Sequence, residues 1–101
     1  MKIDLVRKIS NPEEVKKRAM EYLGKDVEIL ISSNKNKKYM VYDPINKKMV
    51  HFGSFNPPME DFTYHKNLER RRNYLARATK IKGDWKNNKY SPNNLSINLL
   101  W

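Results

Sequence analysis

Between Asp61 and Lys80 the chain reads DFTYHKNLERRRNYLARATK. Taken as one helix, it sorts its residues by chemistry. At about 100° per residue, Lys66, Arg70, Asn73, Arg77 and Lys80 fall within about ±40° of one line. Tyr64, Leu68 and Leu75 fall on the opposite side. Such a helix packs one face on a core and presents cations in a row on the other. Cations at this spacing suit repeated phosphates, because each Lys or Arg that neutralises a phosphate releases a counterion. A solvated helix face kept polar for solubility would carry the same residue types. The local charge density favours the phosphate reading. From His65 to Tyr90 there are nine Lys and Arg against two acids, Glu69 and Asp84. The candidate contacts are Lys66, Arg70, Arg77 and Lys80, with Arg72 and Lys82 assisting and Asn73 hydrogen-bonding a phosphate or sugar. Arg71 and Arg72 leave the stripe towards the packed side. An arginine at a core border needs an acceptor, and Asp61 or the carbonyls of the Pro57-Pro58 loop offer one.

A second constellation is His51, Asp61 and His65. Asp61 and His65 stand four apart, and His51 ends a preceding strand segment. Together they have the donor types for a divalent metal and hydrolysis. The plainer reading makes Asp61 a helix cap with His65 bonded to it, so no metal site is assigned and a metal-dependent nuclease stands only as a distant alternative. A third candidate is aromatic. Tyr39, Tyr42 and Phe52 lie on a strand pair where exposed rings would stack on bases and buried ones would form a core. No phosphate-binding loop, dinucleotide fingerprint or zincin motif is present, and three glycines are too few for a glycine-rich cradle. No nucleophile elbow is visible. The expected protein is not an enzyme and needs no cofactor.

The elements that hold these residues follow from local signals. Asn11-Pro12-Glu-Glu14 is a helix start, with Asn11 as cap, Pro12 in the first turn and Glu14 completing a capping box. Val15, Ala19, Tyr22 and Leu23 form its inner face, and Gly24 ends it. Lys2–Ile9 alternates weakly and predicts a short strand. Residues 26–33, 38–42 and 49–52 predict three further strands, the last two joined by a turn built on Asp43-Pro44. Asp61 or Thr63 caps the basic helix. Ser91-Pro92 opens a final helix, and the apolar end Leu99-Leu100-Trp101 docks on the body or anchors in a partner. The expected fold is α+β, a small antiparallel sheet of three to four strands with two to three helices.

Composition agrees with a single domain over residues 1–101. Hydrophobic residues make up 39% and aromatics 11%, enough for one small core. With 21 Lys and Arg against 11 Asp and Glu, the net charge is +10, which favours anionic partners. The absence of Cys excludes disulfides and thiolate zinc sites. No apolar run approaches a membrane span, and the N-terminus lacks a secretory h-region, so the chain is not expected to be secreted.

From about Tyr39 to Trp101 the chain resembles a family of small uncharacterised proteins encoded by nucleocytoplasmic large DNA viruses. The resemblance rests on Tyr39-x-Val41 with His51-Phe52-Gly53, on Asp61-Phe62-Thr63-x-His65-Lys66, on Glu69 through Arg77, and on Ser91-Pro92 with the Leu99-Leu100-Trp101 end. It covers the C-terminal two-thirds and is absent from residues 1–34. It implies a viral protein of the host cytoplasm (the virus factory) or the virion, and it carries over no catalytic residue. The functional expectation is a small basic viral protein that binds nucleic acid, DNA or RNA, without sequence preference through phosphate contacts. The alternative is a virion structural or adaptor protein that uses the basic helix and apolar C-terminus against a viral structural protein.

Overall fold

The computed structural model describes residues 1–101. Its elements run α1 (Lys2–Val6), α2 (Pro12–Leu23), β1 (Ile29–Ile31), β2 (Lys37–Asp43), β3 (Lys48–Ser54), α3 (Phe62–His65), α4 (Leu68–Ala78) and α5 (Pro92–Leu95). A 3-10 turn at Trp85–Asn87 precedes α5, and a π-type turn at Ser96–Leu100 extends it. This is the expected α+β architecture, with one sheet ordered β1-β2-β3 and antiparallel throughout. No helix is long and apolar enough to cross a membrane.

The N-terminal segment corrects the expected strand. An alternating register over Lys2–Ile9 would turn Leu5 inward with Ile3. Instead Leu5 is exposed and Val6 fully buried. Ile3 and Val6 are three apart, which places both on one side of a helix. The start of α2 agrees with the sequence: Asn11 Oδ1 accepts from the Glu14 amide at 3.3 Å. The second half of the expected capping box is absent. The Glu14 carboxylate turns to Arg18 and Lys66, and the Asn11 amide donates to Thr63 Oγ1 at 3.0 Å.

The sheet carries its core on one face. Val41 lies between Ile29 and Val50, and Tyr39 between Ile31 and Phe52. The rings of Tyr39 and Phe52 meet at 5.7 Å. Helical residues Val6, Val15, Ala19, Leu95, Leu99 and Leu100 complete the same cluster. The β2–β3 hairpin closes on Asp43, as its Asp-Pro signal predicts. Asp43 Oδ1 accepts from the amides of Ile45 and Asn46, and Oδ2 from the Asn46 side chain.

The basic region departs from one continuous helix. Lys66 takes a left-handed backbone (φ 55°), ending α3. Asn67 then caps α4, its Oδ1 accepting from the Arg70 amide at 3.0 Å. His65 Nδ1 seals the junction by accepting from the Asn67 amide at 2.9 Å. Asn is among the best helix caps, and here it starts a new helix inside a pattern whose period looked unbroken.

A buried polar centre ties these parts together. Lys38 of β2 and Asp61 before α3 form an ion pair at 3.1 Å, with side chains 1% and 0% exposed. The Lys38 ammonium also donates to the Met59 carbonyl. Asp61 Oδ1 accepts from the Thr63 amide at 3.1 Å and from the Thr63 hydroxyl. That hydroxyl is 3.3 Å from Ser10 Oγ, which accepts from the Tyr39 hydroxyl at 2.6 Å. The Asp61 amide donates to the Ile9 carbonyl. Burial lowers the Lys38 pKa, and Asp61 opposes that shift. The stem of Lys38 runs under Gly53, which holds φ +81°. A Cβ there would lie 3.0 Å from Leu100 Cδ1 and 3.3 Å from Lys38 Cβ, so Gly53 satisfies both the backbone and the space.

Removing one partner strands the other charge inside. Asp61→Ala should cost about 3–5 kcal/mol of unfolding free energy in urea titration. Adding Lys38→Met should recover part of that loss, since the orphaned ammonium is then gone. Simple addition of the two single losses would show that the pair is uncoupled.

Candidate nucleic-acid interface

α4 rests on the body through Tyr74, Leu75 and Ala78, which are half-buried or buried. The Tyr74 ring stacks on Trp101 with centroids 4.1 Å apart and planes 10° from parallel. Arg71 adds a second tie, its Nε donating to the Trp101 carbonyl at 2.7 Å while its guanidinium lies 5.3 Å from the Phe62 ring. Arg71 is thus the structural arginine expected at the core border. Its acceptor is Trp101, not Asp61 or the Pro57-Pro58 loop. Asp61 is engaged by Lys38.

The predicted contact residues divide by what already holds them. Lys66 is off α4 and pairs with Glu14. Arg70 pairs with Glu60 at 2.9 Å, with both side chains more than 40% exposed. The single stripe from Lys66 to Lys80 therefore does not form. Arg72, expected towards the packed side, is exposed. It joins Asn73, Arg77, Lys80 and Lys82, which are also exposed, and none of these five side chains has a hydrogen-bond or ion-pair partner within the chain. Exposed ion pairs such as Arg70–Glu60 are worth only about 0–1 kcal/mol. An incoming phosphate can therefore recruit Lys66 and Arg70 at small cost, but Arg72, Arg77, Lys80 and Lys82 need no release. Beyond the helix, Lys86 stands 5.6 Å from the Trp85 ring, and Lys89 donates to the Tyr22 carbonyl at 3.2 Å.

The other two constellations resolve differently. His51 Nδ1 is 2.6 Å from Ser32 Oγ, Asp61 faces Lys38 and Thr63, and His65 Nδ1 takes the Asn67 amide. No three His, Asp or Glu side chains gather where they could hold a metal ion. Asp61 does cap α3, as expected, through the Thr63 amide. His65 bonds to Asp61 only through its backbone amide. Of the three hairpin aromatics, Tyr39 and Phe52 are core, and only Tyr42 is exposed. Leu99, Leu100 and Trp101 are buried, so the C-terminal end docks on its own body and offers no anchor.

The Lys38–Asp61 centre and the Tyr74–Trp101 stack carry no sequence signal of their own. Lys38 sits in an ordinary strand pattern, and a stack between residues 27 positions apart has no local periodicity. His65 lies against this stack, 5.3 Å from the Trp101 ring. Its Nε2 is buried without a partner. Burial, helped by the Arg70 charge, lowers its pKa.

A base whose folded pKa is depressed stabilises the fold above its unfolded pKa, and that contribution is lost as pH falls through the folded value. Lowering pH from about 7 to 5, across the ordinary histidine range near 6.5, should reduce the urea midpoint. The stability difference between the wild type and His65→Phe should shrink over the same interval. A difference constant with pH would count against a buried neutral His65.

A family model described as a family of unknown function (DUF5754) matches residues 27–78. The match spans β1 to α4, including Lys38, Asp61 and the helical cations Arg70, Arg72 and Arg77. It starts ahead of the resemblance noted from Tyr39, and it stops before Ser91-Pro92 and the apolar end. No curated protein and no solved structure matches the chain.

Proposed function

The chain belongs to the DUF5754 family, and we propose that it is a small basic protein that binds nucleic acid through phosphate contacts, with little sequence preference and no catalytic step. One observation carries the reading. A helix held from behind by the Tyr74–Trp101 stack presents unpartnered cations outward, and the segment after it continues them. Arg72, Arg77, Lys80 and Lys82 are the primary contacts. Lys66 and Arg70 join when a phosphate displaces Glu14 and Glu60, and Asn73 supplies a neutral hydrogen bond. The net charge of +10 adds long-range attraction to any polyanion.

The same cations can meet an acidic protein surface, which keeps the adaptor reading as the alternative. That reading has lost its apolar anchor, because Trp101 is only 6% exposed. The likeness of the blocks between Tyr39 and Trp101 to proteins of nucleocytoplasmic large DNA viruses supports a viral setting for either reading, in the virus factory of the host cytoplasm or in the virion.

Four phosphate contacts imply a slope of log K against log salt near −4, which weakens binding about a hundredfold between about 50 and 200 mM salt. Fluorescence anisotropy with nucleic acid should show this. Arg77→Glu with Lys80→Glu should abolish most of the affinity while leaving the unfolding midpoint within about 0.5 kcal/mol of wild type, since both side chains are exposed. Absence of binding at the lower salt, with nuclease-resistant co-purification of a structural protein, would favour the adaptor.

A further inference from the structure

We infer that α4 seats in the major groove of double-stranded DNA, with Arg72 and Arg77 meeting the two backbones and Asn73 turned to the base edges. This deepens the phosphate-binding proposal and rests on it.

The first support is how far the helix stands out. α4 has 11 residues, and eight of them are exposed: Leu68 through Asn73, Ala76 and Arg77. A helix sunk into its domain cannot enter a groove, whereas one held only along an inner strip can. At about 10–12 Å across with side chains, a helix matches a B-DNA major groove about 12 Å wide.

The second support is the order of residues around the outer arc. At about 100° per residue, Arg72 and Arg77 stand about 140° apart, with Ala76, Glu69 and Asn73 between them. Two long cations on opposite flanks suit two phosphate backbones. A small alanine between them permits close approach, and the asparagine amide, with both donors and an acceptor, can bond a base edge of more than one kind. Glu69, the one acid of α4, shares this arc but lies in the first turn, about 10 Å along the axis from Ala76, and would repel a phosphate there. The C-terminal half of the helix therefore leads, and Lys80 and Lys82 extend the contact past its end.

The third support is that α4 itself carries no free ring. Binding of single strands relies on exposed aromatics beside the cations, on which bases stack. Tyr74, the one aromatic of α4, is stacked on buried Trp101; Trp85 beyond the helix is half-buried with its Nε1 bonded to the Ile81 carbonyl, and exposed Tyr64 lies on α3, before the break at Lys66. Duplex RNA has a deep, narrow major groove that side chains do not read.

Anisotropy at about 50 mM salt with a short DNA duplex, its single strand and the RNA duplex of the same sequence tests the inference. The DNA duplex should bind about tenfold more tightly than either of the others. Methyl green, a major-groove ligand, should displace the protein, and netropsin, a minor-groove ligand, should not. Asn73→Ala should weaken DNA-duplex binding about tenfold without altering the salt slope, whereas Arg77→Ala should reduce that slope by about one. Equal binding of all three nucleic acids, or displacement by netropsin alone, would overturn the groove assignment while leaving phosphate binding in place. No binding to any of the three would overturn the functional proposal itself.

Discussion

The ion pair between Lys38 and Asp61 is the constraint on which the arrangement depends. Two charges removed from water must satisfy each other and find further hydrogen bonds, or the fold loses several kcal/mol. Asp61 meets that demand with the Lys38 ammonium and with the amide and hydroxyl of Thr63. Lys38 adds the Met59 carbonyl. These bonds fix the chain's path from β3 into α3 relative to the sheet. Ser10 and Asn11 join through Thr63, so the start of α2 is referenced to the same point. The first turn of α3, and thus the root of α4, is positioned by chemistry buried beneath it.

The basic helix sits at the end of this chain of dependence and contributes little to it. Its ties are the Tyr74–Trp101 stack, the Arg71 bond to the Trp101 carbonyl, the packing of Leu75 and Ala78, and the bond from the Asn93 side chain to the Ala78 carbonyl at 3.1 Å. Stability and binding are therefore divided between different residues. Stability rests on the polar centre and the sheet core, and binding mainly on exposed side chains with no hydrogen-bond or ion-pair partner in the chain. The segment matched by the family model contains both sets, since residues 27–78 run from the sheet through α4.

Local signals were legible where one short stretch decided the outcome. Asn11 and Pro12 start α2, Asp43 closes the hairpin, Asp61 caps α3 and Ser91 caps α5. They failed where two local patterns competed. Lys2–Ile9 fits both a weak alternation and a three-residue spacing, and burial of Val6 selects the helix. Residues 61–80 fit one long helix, yet Asn67 is a better cap than an interior residue and breaks it. The cations of the site were legible as types and spacing. Their partners were not. The pairings of Lys66 with Glu14 and Arg70 with Glu60 connect positions 52 and 10 residues apart. Lys38–Asp61 and Tyr74–Trp101 are likewise products of tertiary packing, and periodicity is blind to them.

The break at Lys66 and Asn67 has a consequence for cooperativity. α4 has its own cap and its own first turn, so no backbone hydrogen-bond ladder runs continuously into it from α3. An isolated helix of its length is marginal in water, and only a narrow inner strip attaches it to the body. α4 is thus a separate cooperative unit, able to fray or undock while the sheet and the Lys38–Asp61 centre remain folded. Any ligand held on its outer face raises the free energy of that opening by mass action. Occupancy would be written into the amide protection of these 11 residues before it registered in the melting of the whole domain.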